Sequence, residues 1–263
     1  MKNTVDRNLL QTLGHRILAF IHFIGSLLLL FARVINAFFA GRLRFDHFLQ
    51  ECETFGNRSF WSVALISFFM GMVVAMESAT PLKLTGGEFY VSTIVTLAAV
   101  RELGPVLVAF LISGRVGSAI AAEIGTMKIT EQIDALQTLA VDPVEYLVLP
   151  KFVAGCLMLP ALTVMAIALQ ILGGYVIGTT TLNLNAGLFF YQAFRFVALK
   201  DIMIGLLKAF IFGAIIVIVS SREGFFTEGG AKGVGRATTL AVVTSLFMII
   251  VADLAVTATF YFI

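Results

Sequence analysis

The chain has little charge: only 13% of its 263 residues are Asp, Glu, Lys or Arg, while 59% are hydrophobic. That is about half the charge of an average soluble domain, and with a mean hydropathy of +0.97 it excludes the soluble globular class. The 18 basic and 16 acidic residues leave a net charge of +2, too balanced for a nucleic-acid-binding surface. Cysteine is scarce. Cys52 and Cys156 lie far apart, one of them inside an apolar run, so no disulfide framework is expected and both read as packing residues. His15, His22 and His47 are not spaced as a metal-binding pair on one helical turn, and there is no Cys cluster or Gly-x-Ser-x-Gly elbow. Neither a metal centre nor a catalytic set follows. The glycine-rich run 224–235 lacks the G-x-x-x-x-G-K-[ST] pattern and follows an apolar stretch, so it reads as a flexible inner loop. No internal repeat is visible, so the usual trace of an inverted-repeat secondary transporter is missing.

What is present is a series of apolar runs near the roughly 20 residues that cross about 30 Å of hydrocarbon as a helix. None shows the alternating pattern of an outer-membrane barrel, so the expected class is an all-α membrane protein. The first run, 13–40, carries a polar stripe: His15, His22, Ser26 and Arg33 fall within about 40° on a helical wheel, with Asn36 beside them. Basic residues flank it on both sides, so an amphipathic helix at the cytoplasmic interface fits better than a span. The run is too long for a cleaved signal peptide, and no Ala-x-Ala site follows it. Five spans are expected at 60–79, 91–112, 152–177, 202–220 and 240–263. With the N-terminus inside, the inner segments hold Lys2, Arg7, Arg16, Arg33, Arg42, Arg44, Arg58, Arg115, Lys128, Lys151, Arg222, Lys232 and Arg236; the outer loops hold only Lys83, Arg195 and Lys200. That asymmetry sets the orientation. Asp142-Pro143-Val144-Glu145 reads as the capped start of the helix leading into the third span.

Charge inside the spans is the strongest signal for function. Arg101 and Glu102 fall near the middle of the second span, Lys208 in the outer part of the fourth and Asp253 near the middle of the fifth. At 1.5 Å per residue, Glu102, Lys208 and Asp253 lie about 16, 10 and 15 Å from the outer boundary. Such residues face a bundle interior or a wet cavity and pair there. Arg101 and Glu102 point about 100° apart on one helix and must find partners on other spans. A structural ion-pair network and a functional cavity both satisfy this. Pro105 removes one helical hydrogen bond, freeing the carbonyl of Arg101, and Gly104 eases the bend, so a kink is expected beside the charged pair. Below it, Ser113, Gly117, Ala121 and Gly125 form a small-residue row, with Gly114, Ser118 and Ala122 beside it; such rows serve close packing within a subunit or between two. The segment 123–139 places Ile129, Ile133, Leu136 and Ala140 on one helical face and Glu131, Gln132 and Asp134 elsewhere. It reads as a short amphipathic cytoplasmic helix that meets either a partner or the membrane surface.

The stretch LAAVRELGPVLVAFLISGRVGSAIAAEIGTMKITEQIDALQTLAVDPVEYLVLPK resembles the signature region of the MlaE (YrbE) family. These are permease subunits of ABC transporters that work with MCE proteins on lipid traffic between two membranes. The layout is also similar, down to a GxGRATT-like Gly233-Val-Gly-Arg-Ala-Thr-Thr. The resemblance implies that EIGTMKITEQIDAL, with Glu123, Lys128, Glu131, Gln132, Ile133 and Asp134, is the coupling helix docking on a cytoplasmic ATPase. It implies a homodimer, and cavity charges at Glu102, Lys208, Arg236 and Asp253, beside Arg101. The expected protein is a permease moving phospholipid between the inner and outer membranes. It would have no catalytic activity or cofactor of its own: ATP and Mg would bind the partner ATPase, and a periplasmic MCE protein would complete the system. It would reside in the bacterial inner membrane with its N-terminus in the cytoplasm. The rival reading is an ion- or proton-coupled carrier using the same buried charges; an intramembrane enzyme is disfavoured by the missing nucleophile and base.

Overall fold

The computed structural model describes residues 2–261, and among them no strand occurs. Helix α1 (Lys2–Phe39) is followed by α2 (Phe45–Phe55) and α3 (Asn57–Thr85). A long, nearly continuous helix comes next, built from α4 (Val91–Ala98), α5 (Gly104–Ile112) and α6 (Ser118–Ile129). Two π-helical turns, Ala99–Leu103 and Ser113–Gly117, join its parts. After the short α7 (Gln132–Thr138), a third π turn at Val144–Val148 leads into α8 (Leu149–Thr180). The chain ends with α9 (Ala186–Arg195), α10 (Leu199–Phe225) and α11 (Gly230–Tyr261). The start signal read from Asp142 is present: its carboxylate accepts from the Val144 N–H at 2.8 Å. Asn185 caps α9 in the same way, accepting from the Gly187 N–H.

Among the described residues, six stretches are long and apolar enough to cross a membrane: Ile17–Phe39, Phe45–Leu84, Glu88–Ile129, Val144–Thr180, Leu199–Phe225 and Gly230–Phe260. Four of the expected spans lie inside longer observed stretches; the fifth, expected at 240–263, starts earlier, at Gly230, and its last two residues lie outside the described ones. Helix α8 sits centrally, with α3 on one side and α10 on the other, and α10 packs in turn against α6 and α11. Glycine sets how closely these helices approach. A Cβ on Gly71 would collide with the backbone of Gln170, and one on Gly173 with that of Phe68, so α3 and α8 touch main chain to main chain. Burial then grades across the bundle, from 56% of the apolar window in α10 to 17% in α11. Helix α11 accordingly leaves Val243, Phe247, Ile250 and Leu254 exposed on one face.

The end of α6, the start of α8, the end of α10 and the start of α11 gather at one end of the bundle, here termed the base. Gly125 packs there against Thr227, and Lys151 pairs with Glu123. Helix α1 touches the base at two places. Near its middle, His22 meets Phe226 edge-on and Ser26 accepts from Arg222 at 3.0 Å; past its end, Arg42 pairs with Glu145. One flank of α1 carries Ser26, Arg33 and Asn36 of the polar stripe, while Leu27, Leu28, Phe31 and Ile35 on the other line an apolar groove of about 370 Å³ with α8, α10 and α11. The side chain of His15 lies outside the described residues.

Two local readings need correction. The run 224–235 is not a loop: α10 continues to Phe225 and α11 begins at Gly230. Only a short turn separates them, reversed by positive φ at Gly229 and Gly230 (86° and 68°). Helices α2 and α9 were not foreseen, because each is short and only one face is apolar. The row Ser113, Gly117, Ala121 and Gly125 is buried, and its glycines face Ser220, Ile216 and Thr227 at the end of α10 and just beyond. It therefore serves packing within the subunit, while Gly114 of the adjacent row faces open space. We expect Gly173→Leu to lower the thermal midpoint of the detergent-solubilised protein by the equivalent of about 3 kcal/mol or more, since backbone must move. Gly114→Ala should leave it unchanged, and differential scanning fluorimetry on both checks the packing.

Candidate functional site

Pro105 organises the charged centre. Lacking an N–H, it leaves the Arg101 carbonyl without a helical donor, and the chain makes the π turn Ala99–Leu103 there, with the Gly104 N–H bonding to the Ala99 carbonyl. The expected irregularity is thus a π turn. Gly104 is buried against Ile167 of α8, where a Cβ would stand 2.7 Å from Cγ1. The freed carbonyl finds a donor on another helix: Lys208 Nζ lies 3.1 Å from the Arg101 oxygen.

Lys208 also pairs with Glu102 Oε2 at 2.7 Å and Asp253 Oδ1 at 2.8 Å. Its three ammonium donors therefore meet three acceptors. The diverging directions of Arg101 and Glu102 are realised as expected. Glu102 turns to Lys208, while Arg101 Nε pairs with Asp201 Oδ1 at 2.9 Å. Sequence reasoning missed Asp201, although an acid three residues after Ala198 is a helix-start signal; its other oxygen accepts from the Ala198 N–H at 3.0 Å. Thr257, one turn beyond Asp253, was also missed; its hydroxyl donates to Glu102 Oε1 at 3.2 Å.

Exposure divides this cluster. The Lys208 side chain is 0% exposed and that of Asp201 4%, whereas Arg101 and Glu102 are 39% and 40% exposed. The lysine locks three structural elements together, and Arg101 and Glu102 present one positive and one negative group to the space outside. Such a pair, beside a threonine hydroxyl, can bind a polar head carrying both a phosphate and a cation. Arg101, Glu102, Lys208 and Asp253 lie at one level, about 12 to 17 Å from the helix ends remote from the base, while Asp201 stands in the first turn of α10, about 10 Å along the helix from Lys208. Arg236 is not brought to them. It is exposed in the second turn of α11, near the base and about 25 Å along the helix from Asp253.

At the base, the segment 123–139 is two helices. Helix α6 ends at Ile129, Glu131 adopts a left-handed φ of 61°, and α7 folds back beneath, ending before Ala140 at φ 57°. Each such residue costs about 1 kcal/mol or more, so the break is held by packing. Lys128 of α6 bridges it to Asp134 of α7 at 3.2 Å. Ile133 is 3% exposed and belongs to the main core, and Leu136 packs against it. The apolar face is therefore spent inside the chain, and Ile133 is not a partner contact. What faces outward is Glu131, Gln132, Asp134 and the 74% exposed Leu139. Glu123 pairs inward with Lys151 at 2.9 Å.

A family model described as Permease MlaE matches residues 48–259. The chain belongs to the MlaE permease family. Full-length similarity agrees. A probable ABC transporter permease protein of Rickettsia bellii is 37% identical over 97% of this chain and 98% of its own length. A second, from Synechocystis, is 40% identical over 87% and 90%. The chloroplast protein trigalactosyldiacylglycerol 1 of Arabidopsis thaliana is 35% identical over 87% of this chain and 65% of its own length. Within this MlaE permease, the charged cluster and the outward face of α7 are the two candidate sites.

Lys208→Met would strand Glu102 and Asp253, and removing one partner of a buried ion pair costs about 3–5 kcal/mol. We expect it to lower membrane abundance and thermal midpoint sharply. Glu102→Gln should alter the midpoint little, because Lys208 keeps Asp253 and the Arg101 carbonyl. Fluorescence-detected size exclusion on the two variants distinguishes them.

Proposed function

We propose that this MlaE permease is the membrane subunit of an ABC transporter that moves phospholipid between the inner and outer membranes of a bacterium. The observation that carries the reading is the half-exposed Arg101–Glu102 pair, locked at mid-bundle depth by Lys208, Asp201 and Asp253. Opposite charges side by side suit a zwitterionic head, and the name of the Arabidopsis relative is that of a glycerolipid. The chain would act as a homodimer in the inner membrane, with the apolar face of α11 available to a second copy. A cytoplasmic ATPase would hold ATP and Mg and seat on α7 through Glu131, Gln132 and Asp134. A periplasmic MCE-domain protein would take or supply lipid. An ion-coupled carrier acting alone is not favoured, because the relatives are named as ABC transporter permeases.

In this reading the base faces the cytoplasm, as the positive-inside distribution requires, and α1 lies along the inner leaflet with its N-terminus inside. Its two contacts with the base and its separate polar and apolar flanks support that placement. Cysteines at His22 and Asn36 should both react with an impermeant maleimide only from the cytoplasmic side; periplasmic labelling of either would make α1 a span.

The function is tested by reconstituting the chain with its copurifying ATPase in nanodiscs and following transfer of a fluorescent phospholipid. Transfer should require ATP and fall about tenfold or more in Arg101→Ala, where a charge-assisted contact worth about 1.5–3 kcal/mol is lost. ATP-independent transfer driven by an ion gradient would support the carrier instead. Glu131→Lys should reduce ATPase copurification, whereas Ile133→Asp should lose folded protein, because a charge enters the core.

A further inference from the structure

Lys151 is a second lysine withdrawn from solvent. Its side chain is 4% exposed, yet it stands in the first turn of α8 at the base, far from the mid-bundle cluster. Its ammonium donates to Glu51 of α2 at 2.5 Å and to Glu123 of α6 at 2.9 Å. Three helices therefore meet on one nitrogen. Each has a different destination: α2 passes through Gly56 directly into α3, α8 packs along α3 and α10, and α6 leads into α7.

The line of ion pairs continues outward. Glu123 lies about 8 Å along α6 from Lys128, and Lys128 reaches across the left-handed break to Asp134 on the exposed side of α7. A displacement of α7 is thus carried by Asp134 and Lys128 to α6, and by Glu123 and Lys151 to α8 and α2. It does not dissipate there. Gly155 of α8 and Gly213 of α10 are in backbone contact, a Cβ on Gly213 standing 2.5 Å from the Gly155 oxygen, so these helices have no slack in which to slip.

We infer that Lys151 is a positioning residue for transport: it makes α2, α6 and α8 move as one body, so that motion imposed on α7 reaches the bundle. This rests on the proposed seating of an ATPase on α7. Without the ammonium, α6 and α7 could follow the ATPase while α8 and α2 stayed behind. Energetic coupling of this kind between two sites is carried through contiguous packed and ion-paired elements.

The test uses the complex of the chain with its copurifying ATPase in nanodiscs, comparing Lys151→Met, Lys151→Arg and Glu123→Gln. Glu123→Gln leaves Lys151 paired with Glu51, so it removes the link to α6 without stranding the buried ammonium. In Lys151→Met and Glu123→Gln, bound ATPase should stay at the wild-type ratio while phospholipid moved per ATP hydrolysed falls about tenfold, within the usual range of coupling energies. Lys151→Arg, which keeps a cation between the two carboxylates although its planar guanidinium favours one of them, should recover part of it. Unchanged lipid per ATP in Glu123→Gln overturns the inference while leaving the seating of the ATPase intact. A loss of transport that only tracks lost folded protein, with Lys151→Arg no better than Lys151→Met, overturns it in favour of a passive brace. If the wild-type chain holds no ATPase, the seating on α7 and this inference fail together.

Discussion

An ammonium with no exposed surface in the middle of an apolar bundle is the constraint on which the rest depends. Lys208 is tolerated there only because Glu102, Asp253 and the Arg101 carbonyl take its three donors, and each acceptor comes with a structural condition. The carbonyl is free only because Pro105 follows it by four residues. Glu102 points at the lysine from a π turn, where the helix is locally underwound. Asp253 arrives only if α11 packs against the far side of α10. Removing the lysine leaves both carboxylates without their cation in a medium that solvates charge poorly, so one side chain fixes the register of three elements.

Helix packing is organised to meet that requirement. In hydrocarbon, apolar burial does not drive helices together, so association relies on close backbone approach and polar pairing. The contacts of α3 with α8 at Gly71 and Gly173, and of α8 with α10 at Gly155 and Gly213, supply the first. The second is concentrated at few points, and Asp201 shows how economically: one oxygen holds Arg101 and the other completes the first turn of its own helix.

Much of this was legible in the sequence because membrane helices are long, apolar and rarely charged. The five apolar spans, the shared depth of Glu102, Lys208 and Asp253, and the freed Arg101 carbonyl follow from run length, helix rise and the chemistry of proline. What escaped reading depends on direction. Asp201 drew no notice because a helix start near the membrane surface is an ordinary place for an acid. Ile133 looked available to a partner because an apolar face reads the same whether it is buried by its own chain or by another. The left-handed turn at Glu131, which sends that face inward, carries no glycine to announce it. Arg236 sits in the stretch Gly233-Val-Gly-Arg-Ala-Thr-Thr, read as resembling the family's, yet a helix places residues by distance along its axis, and seventeen residues put it about 25 Å from Asp253, near the base.

The two buried lysines answer the same problem at different depths. Each stands between two carboxylates from two other elements: Lys208 between the π turn and α11, Lys151 between α2 and α6. Lysine suits that role better than arginine, since a compact ammonium on a flexible stem can face partners arriving from unrelated directions, whereas a planar guanidinium favours one carboxylate held edge-on. The helix from α4 to α6 contributes a carboxylate to both, Glu102 to the deep lysine and Glu123 to the basal one, about 30 Å apart along its axis. Between them lie α5 and the second π turn, at Ser113–Gly117. A π turn is where a helix can change register without breaking. The element that joins the two ion-paired centres therefore has its irregular turns beside Glu102 and along the path to Glu123, where motion of one centre must be accommodated by the other.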